Sequence, residues 1–455
     1  MPPVLQNLIP NGASRHRLRK GFLLMRNDGG VLDTQLRSNI VRVAKNSMAQ
    51  KATLAEFALN TPVTEPSLVE IVTPFHPIYT CKQRNVFMQS IATATSCLTQ
   101  AADDSHCQLI AAGVNPYPCA LNGKQAPALC ADIHQIEIFD EGEIERIYNL
   151  FRQFLPELLA ISANSPIFEG EIKNHASYRM RENPQSFLPY YLSQFAANQL
   201  ERLERMMRKD HALTDLRLMD INPLDGSDLL TERSLLKKQT ASVELRFVDA
   251  QCSYSFVRAQ IILFQAIAMH GRSLARQGRR LRRMRDSVID ANKALAYKDG
   301  ASAVFQPDAE WRQEEKGKGY TFHDKGEPER ATTALLMDIE GCLIAALRDL
   351  ECQPWELFPI LLGAELRRHG KSCIANYAEL QQYLYYTQQQ HFATAFQQLT
   401  RETLASPTLD IISDYNRQAH FDLTKEIELK WLEQLTPPVR SRLAKEQSLP
   451  QKPKR

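Results

Sequence analysis

The chain has 455 residues, 44% apolar and 24% charged, the composition of a globular protein long enough to bury a large core. Fifty-five Lys and Arg against 52 Asp and Glu leave a net charge of +3, too small a basic surplus for a dedicated nucleic-acid binder, which must neutralise a run of phosphates. The long stretches 85–102 and 105–123, free of Asp, Glu, Lys and Arg, are broken by polar residues and, in the second, by prolines, so a membrane-spanning helix of about 20 apolar residues is not expected there.

The first 27 residues contain no acid, while Arg15, Arg17, Arg19, Lys20 and Arg26 are basic. Gly21–Met25 reads as a short strand turned by Asp28-Gly29-Gly30, and Leu68–Val72 as a second strand that stops at Thr73-Pro74, since proline cannot donate to a ladder. A helix is expected over 83–102, then a strand over Cys107–Ala112 closed by the turn Gly113-Val114-Asn115-Pro116. Ile133–Phe139 reads as another strand. The acids Asp140, Glu141 and Glu143 behind it suit the positive end of a helix, in which Ile144, Ile147, Phe151, Phe154, Leu155 and Leu158 recur at helical spacing to about Ile161, with a kink expected at Pro156. A second amphipathic helix fits Leu188–Arg208. Strands are expected at 215–221 and 241–248, and Ser253–Met269 returns to helix.

Residues 306–331 are polar and charged and read as a loop or linker. From there the pattern is helical to about 446, and 447–455 reads as a disordered basic tail. The expected division is an α+β domain over 1–305, the linker, a helical region over 332–446 packed on the main domain, and the tail. Nine cysteines without a C-x-x-C pair, and an N-terminus with no compact apolar core, point to a reduced cytoplasmic interior. Cys107 and Cys119 read as small buried hydrophobes.

Several standard motifs are absent. Gly370-Lys371-Ser372 would need a glycine where Glu365 stands to form a phosphate loop, and Gly317-Lys318-Gly319 meets Phe322 where a dinucleotide motif needs its third glycine. The run Arg272, Arg276, Arg279, Arg280, Arg282, Arg283, Arg285 places five arginines along one side if it is helical. It suits either an anion- or RNA-binding stripe or an exposed helix paired with local acids. The tyrosines at 377, 383, 385 and 386 read as helix-packing core.

The most informative stretch is Ser242-Val243-Glu244-Leu245-Arg246-Phe247-Val248-Asp249. In a strand Glu244 and Arg246 share one face and Val243, Leu245 and Phe247 the other, with the two charged residues about 7 Å apart along the strand. A carboxylate can hold Mg²⁺ and a guanidinium can stabilise charge on a moving phosphoryl group; the same pair also suits a solvated ion pair. Together with Ile161–Pro166 and Ala176–Arg179 in this order, the stretch resembles the carboxylate–amine ligase family related to glutamate–cysteine ligase. Val69-Glu70-Ile71-Val72-Thr73-Pro74, Gly113–Pro116, Met219–Pro223 and Asn292–Gly300 resemble further segments of that family.

The resemblance implies a glutamine-synthetase-like fold, a curved and mainly antiparallel sheet with flanking helices, whose open face holds ATP, Mg²⁺ and an amino acid. It also implies that a glutamate side chain is activated as a γ-glutamyl phosphate and joined to an amine such as cysteine. On that footing Glu244 is a Mg²⁺ ligand and Arg246 neutralises the γ-phosphoryl charge. Glu70 is a second metal ligand or a substrate contact. Arg179 holds a substrate carboxylate or phosphate. Thr73, His134 and Ser165 contact substrate, and Arg181, Lys293 and Lys298 contact the nucleotide. The alternatives are a non-catalytic relative that binds a nucleotide or amino acid, and an anion or nucleic-acid binder using the arginine run. Self-association stays open.

One departure stands out. The resemblance implies a first strand bearing two or three metal-binding glutamates, whereas Arg19-Lys20-Gly21-Phe22-Leu23-Leu24-Met25 has none. Weak metal binding, replacement by Glu137 or Asp249, or loss of catalysis would each follow; basic residues there would suit direct phosphate contact.

Overall fold

A strand that alternates charged and apolar side chains must present one polar face and one dry one. The first half of β1 (His16–Arg26) does this, and its second half, Phe22–Met25, is apolar and buried on both faces. The computed structural model describes residues 14–26, 32–62, 67–111, 113–114, 129–139, 141–165, 167–168, 171–172, 175–182, 189, 218–223, 241–251, 254–279, 281, 283–308, 329–352, 356–357 and 360. The helix expected over 188–208 (Pro189 apart), the Asp28 turn, Asn115-Pro116, Cys119, the tyrosine cluster, most of the linker and the chain beyond Ile360 lie outside these residues.

β1 runs through the middle of a seven-stranded sheet. With β2 (Ala58–Asn60), β3 (Leu68–Val72), β4 (Cys107–Ile110), β5 (Asp132–Ile138), β8 (Met219–Pro223) and β9 (Ala241–Leu245), the order is β2-β3-β1-β5-β9-β8, with β4 also on β1. Every pairing is antiparallel. One edge of β1 carries β3; the other carries β5 along His16–Lys20 and β4 along Leu23–Arg26. Two short hairpins stand apart, β6 (Ile167–Phe168) with β7 (Glu171–Ile172) and β10 (Val304–Phe305) with β11 (Glu329–Arg330).

Helices bury the dry face. α1 (Thr34–Ala49), started by the Asp33 side chain on the Leu36 amide at 2.7 Å, joins α2 (Cys81–Asp103) in a cluster with Phe22–Met25 and Val69. α2 opens with a Thr80–Gln83 capping box, which satisfies two otherwise orphaned amides. α3 (Glu141–Ser162) runs through Pro156 without interruption. It packs with α5 (Tyr254–Arg276) and α6 (Asp286–Asp299) against Ile136, Ile138, Val243 and Leu245 in the largest apolar cluster. α4 (Tyr178–Glu182) is a single turn. α7 (Ala331–Asp338) and α8 (Ile344–Asp349), joined by a π-helical turn, give the start of the expected helical region.

The arginine run is not one helix. α5 ends at Arg276, Gly278 takes a φ of 64°, and α6 begins only at Asp286; the left-handed conformation that glycine adopts freely stops the helix. Arg272 is buried on Glu143 at 3.0 Å, and Arg283 and Arg285 pair with Asp286 and Asp308. The continuous helical stripe that would favour an RNA or anion binder is therefore not formed, and local acids take the charges of Arg272, Arg283 and Arg285.

Candidate functional site

Strand register gathers the charged residues onto the polar face. Arg19 lies opposite Ile133, Arg17 opposite Gln135, and the Glu137 amide bonds the Arg15 carbonyl. Gln135 lies opposite Glu244, and Glu244 opposite Asp220. Glu70 stands opposite Gly21, two residues beyond Arg19, and beside Asn60 on β2. Because opposite partners share a face, Arg15, Arg17, Arg19, Glu70, Gln135, Glu137, Glu244, Arg246 and Asp220 form one surface across five strands.

On this surface the carboxylates are buried and the guanidinium groups lie over them. Glu70, Glu137 and Glu244 are 5%, 2% and 1% exposed, while Arg15, Arg19 and Arg246 are 46%, 26% and 16% exposed. Arg19 chelates Glu70 at 2.8 and 3.1 Å, with Asn60 Nδ2 adding a bond of 2.6 Å. Arg15 chelates Glu137 at 2.5 and 2.9 Å, and this hydrogen bond and charge raise the Arg15 pKa despite burial. Glu244 accepts from Gln135 Nε2 and Arg246 Nε. Burial pushes the Glu244 carboxyl up, but the charge of Arg246, the Gln135 bond and the charge of Arg19 outweigh it, so it lies below the ordinary carboxylate range.

A resident divalent cation does not fit these residues. Such an ion needs carboxylate oxygens free to face it, and those of Glu70, Glu137 and Glu244 accept from guanidinium or amide groups. Among the described residues no group of three or more His, Cys, Asp and Glu is arranged to hold a metal. The two residues expected to bind Mg²⁺, Glu244 and Glu70, are held by arginines instead.

The other expected site residues divide into four groups. Thr73 sits next to the arginine row: its Oγ1 accepts from the Leu18 amide at 2.9 Å and its carbonyl accepts from Arg17 Nε at 3.1 Å. His134 faces the opposite way. It is fully buried against Phe264 of α5, with Nδ1 3.0 Å from His16 Nε2, because even-numbered residues of β5 point into the helical layer. It is not part of the polar face that holds Glu244 and Arg246.

Ser165 and Arg179 belong to a buried knot around Asp249. Its carboxylate accepts from Arg179 Nε (2.6 Å), Ser177 Oγ (3.0 Å), Asn164 N (2.7 Å) and Ser165 Oγ (2.7 Å). Arg179 also donates to the carbonyls of Arg246 and Phe247. The three stretches that carried the resemblance thus meet at one carboxylate, whose hub role the sequence alone did not reveal. Gly113 is required there, since a Cβ would lie 2.5 Å from the Asp249 carboxyl carbon. Arg181 is exposed beside the Tyr178 ring, Lys293 pairs with Asp290 at 2.7 Å, and Lys298 is exposed near the end of α6. Among the described residues, no hydrogen bond or ion pair joins these three to Arg15, Arg17 or Arg19.

The sequence reading names none of Arg15, Arg17 and Arg19 as a site residue, although it allows that basic residues in the first strand suit direct phosphate contact. The signal available was their alternation with Leu18 in an acid-free segment.

The family model described as glutamate-cysteine ligase family 2 (GCS2) matches residues 64–333, more than half of the chain. This chain belongs to glutamate–cysteine ligase family 2. The glutamate–cysteine ligase of Haloquadratum walsbyi is 27% identical over 237 residues, 47% of this chain and 61% of that protein; the match thus spans less than two thirds of that relative. Two solved structures share the fold of this GCS2 chain, each with a TM-score of 0.50. One is a glutamate–cysteine ligase from Francisella tularensis in complex with AMP, at 9% identity, covering 95% of this chain and 97% of that one. The other is a bifunctional glutathione synthetase from Pasteurella multocida, at 12% identity, covering 97% and 57%. The α+β architecture with an antiparallel sheet and flanking helices is the expected one.

Proposed function

We propose that this GCS2 chain is an ATP-dependent carboxylate–amine ligase that joins glutamate to cysteine in the cytoplasm. The observation that carries the reading is the row of guanidinium groups on one sheet face, each of Arg15, Arg19 and Arg246 fixed by a buried carboxylate. A γ-carboxylate oxygen of glutamate attacks the γ-phosphorus of ATP, the bond to the bridging oxygen breaks, and ADP leaves with its electron pair. The amine nitrogen then attacks the acyl carbon of γ-glutamyl phosphate, phosphate leaves, and the nitrogen loses a proton. Negative charge grows on the transferring phosphoryl oxygens, so pre-fixed cations and close positioning supply the acceleration. Arg246, locked on Glu244, meets that demand. Arg179 and Ser165 act by fixing the Asp249 knot next to it. Mg²⁺ enters this proposal only as the counter-ion that ATP brings from solution.

The test is phosphate release from ATP with glutamate, with and without cysteine and a panel of other amines. Release that needs both glutamate and one amine supports the ligase and identifies its acceptor; no release from folded protein under any pairing overturns it. Arg246→Ala should lower kcat by about 10²-fold; a change in KM alone would reassign Arg246 to ground-state binding. The acid-free β1 favours a second reading, a non-catalytic relative that binds nucleotide. Thermal stabilisation by ATP without turnover is its signature.

A further inference from the structure

Arg17 differs from its neighbours in the arginine row. Arg15 and Arg19 flank it on the same face of β1 and each chelates a carboxylate. Arg17 has no carboxylate within ion-pair distance among the described residues. Its Nε donates to the Thr73 carbonyl at 3.1 Å, while its two terminal nitrogens meet no acceptor there. The side chain is half-buried and lies 5.7 Å from the Phe75 ring centroid, a ring that Arg15 also approaches at 5.9 Å. A guanidinium fork held at one end, walled by an aromatic ring and left open at the other is preorganised for an oxyanion.

The charge balance points the same way. Four guanidinium groups (Arg15, Arg17, Arg19, Arg246) face four carboxylates (Glu70, Glu137, Glu244, Asp220) on this surface. A neutral surface does not draw in a divalent cation, yet its outermost groups are cationic and its carboxylates buried. Burial, and then the like charge of Arg19, make the charged form of Arg17 costly, with Glu244 only partly offsetting them. A bound anion relieves that cost.

We infer that the β1 face binds the phosphates of a nucleotide directly through Arg17, with Arg15 and Arg19 on either side, and needs no divalent cation to do so. Arg15 to Arg19 spans roughly 13 Å along an extended strand. That length suits several oxyanions in a row, whereas a single substrate carboxylate needs one fork. The inference deepens the ligase reading and rests on it for the nucleotide as the source of the phosphates.

The experiment titrates the full chain with inorganic tripolyphosphate in EDTA, by calorimetry, and repeats the titration with glutamate and with added Mg²⁺. Wild-type protein should bind tripolyphosphate without metal. Arg17→Gln should weaken that binding at least 10-fold, and Arg17→Lys, which keeps the charge but loses the fork, should fall between. Thermal midpoints near wild type show that the variants fold, and Arg17→Met serves as a second neutral variant. Unchanged tripolyphosphate binding in both neutral variants, binding only with Mg²⁺, or a defect confined to glutamate would each overturn the inference. Phosphate release is scored separately, so metal-free binding without turnover sinks the ligase reading alone. Turnover with Arg17-independent binding sinks this inference alone.

Discussion

His16 and His134 lie on the side of the sheet away from the arginines, buried and bonded to each other at 3.0 Å. Burial lowers the His16 pKa to about 3 and, with the charges of His16 and Lys20, takes His134 well below its ordinary value. Unfolded, each histidine titrates near 6.5, so below that pH the unfolded chain binds protons that the folded chain refuses. Stability is therefore full above pH 6.5 and falls as pH drops toward the folded value. From pH 7 to pH 5, His16 alone should remove about 2 kcal/mol. Urea unfolding at the two pH values checks this, with His16→Gln losing about 2 kcal/mol less over the interval; equal losses would refute the assignment. Alternation along one strand made Glu244 and Arg246 legible as face-sharing residues. The pairs Arg19–Glu70 and Arg15–Glu137 join residues 51 and 122 apart, and local sequence does not contain the register that brings them together. The same register turned His134 inward.

β1 holds the site because three strands pair along its length, and Gly21 is where the partners on one edge change. A Cβ there would lie 2.4 Å from the Ala131 carbonyl oxygen and 2.7 Å from Cys130 Sγ. The carbonyl is backbone and cannot swing aside. Gly21→Ala should cost about 1–3 kcal/mol as an overpacking substitution and, by shifting β5, disturb the Arg15–Glu137 chelate; an unchanged urea midpoint would mean that the sheet yields freely there. At this scale a clean hydrophobic period locates an element. β3 matches its expected bounds, and α2, α3 and β5 agree to within a few residues. α1 is not among the expected elements, although Asp33 and the spacing of Ile40, Val41, Ala44 and Met48 carry a cap and an apolar stripe. The arginine run shows the opposite error. Side-chain spacing suits one helix, but the chain leaves the helix after Arg276, with Gly278 left-handed, and re-enters one only at Asp286.

Over the whole molecule, the ordered set of short motifs was informative because its members converge in space: segments 164–165, 177–179 and 246–249 close on Asp249. What ties the helical layer to the segment after α8 had no such signal. Glu356 lies between Arg84 of α2 and Arg258 of α5, all three no more than 1% exposed. Arg84 grips it at 2.6 and 2.7 Å, Arg258 Nε donates at 2.7 Å, and Arg84 also donates to the carbonyls of Ile78 and Leu350. The partners are 272 and 98 residues apart, and two arginines with a glutamate look, in sequence, like ordinary surface charges. A buried pair contributes little net stability because desolvation cancels most of its attraction, but removing one member strands the others. Glu356→Gln would remove the carboxylate charge that the two buried guanidinium groups share. The expected cost is about 3–5 kcal/mol, read as a lower urea midpoint. Easier proteolysis around 350–356 should accompany it, since the anchor of that segment on α2 and α5 is lost. Replacing all three by apolar residues (Arg84→Met, Arg258→Met, Glu356→Leu) removes the stranded charges as well and should recover much of the loss. Were the single variant as stable as wild type, or the triple variant less stable than the single, the triad would not be the element that joins this segment to the helical layer.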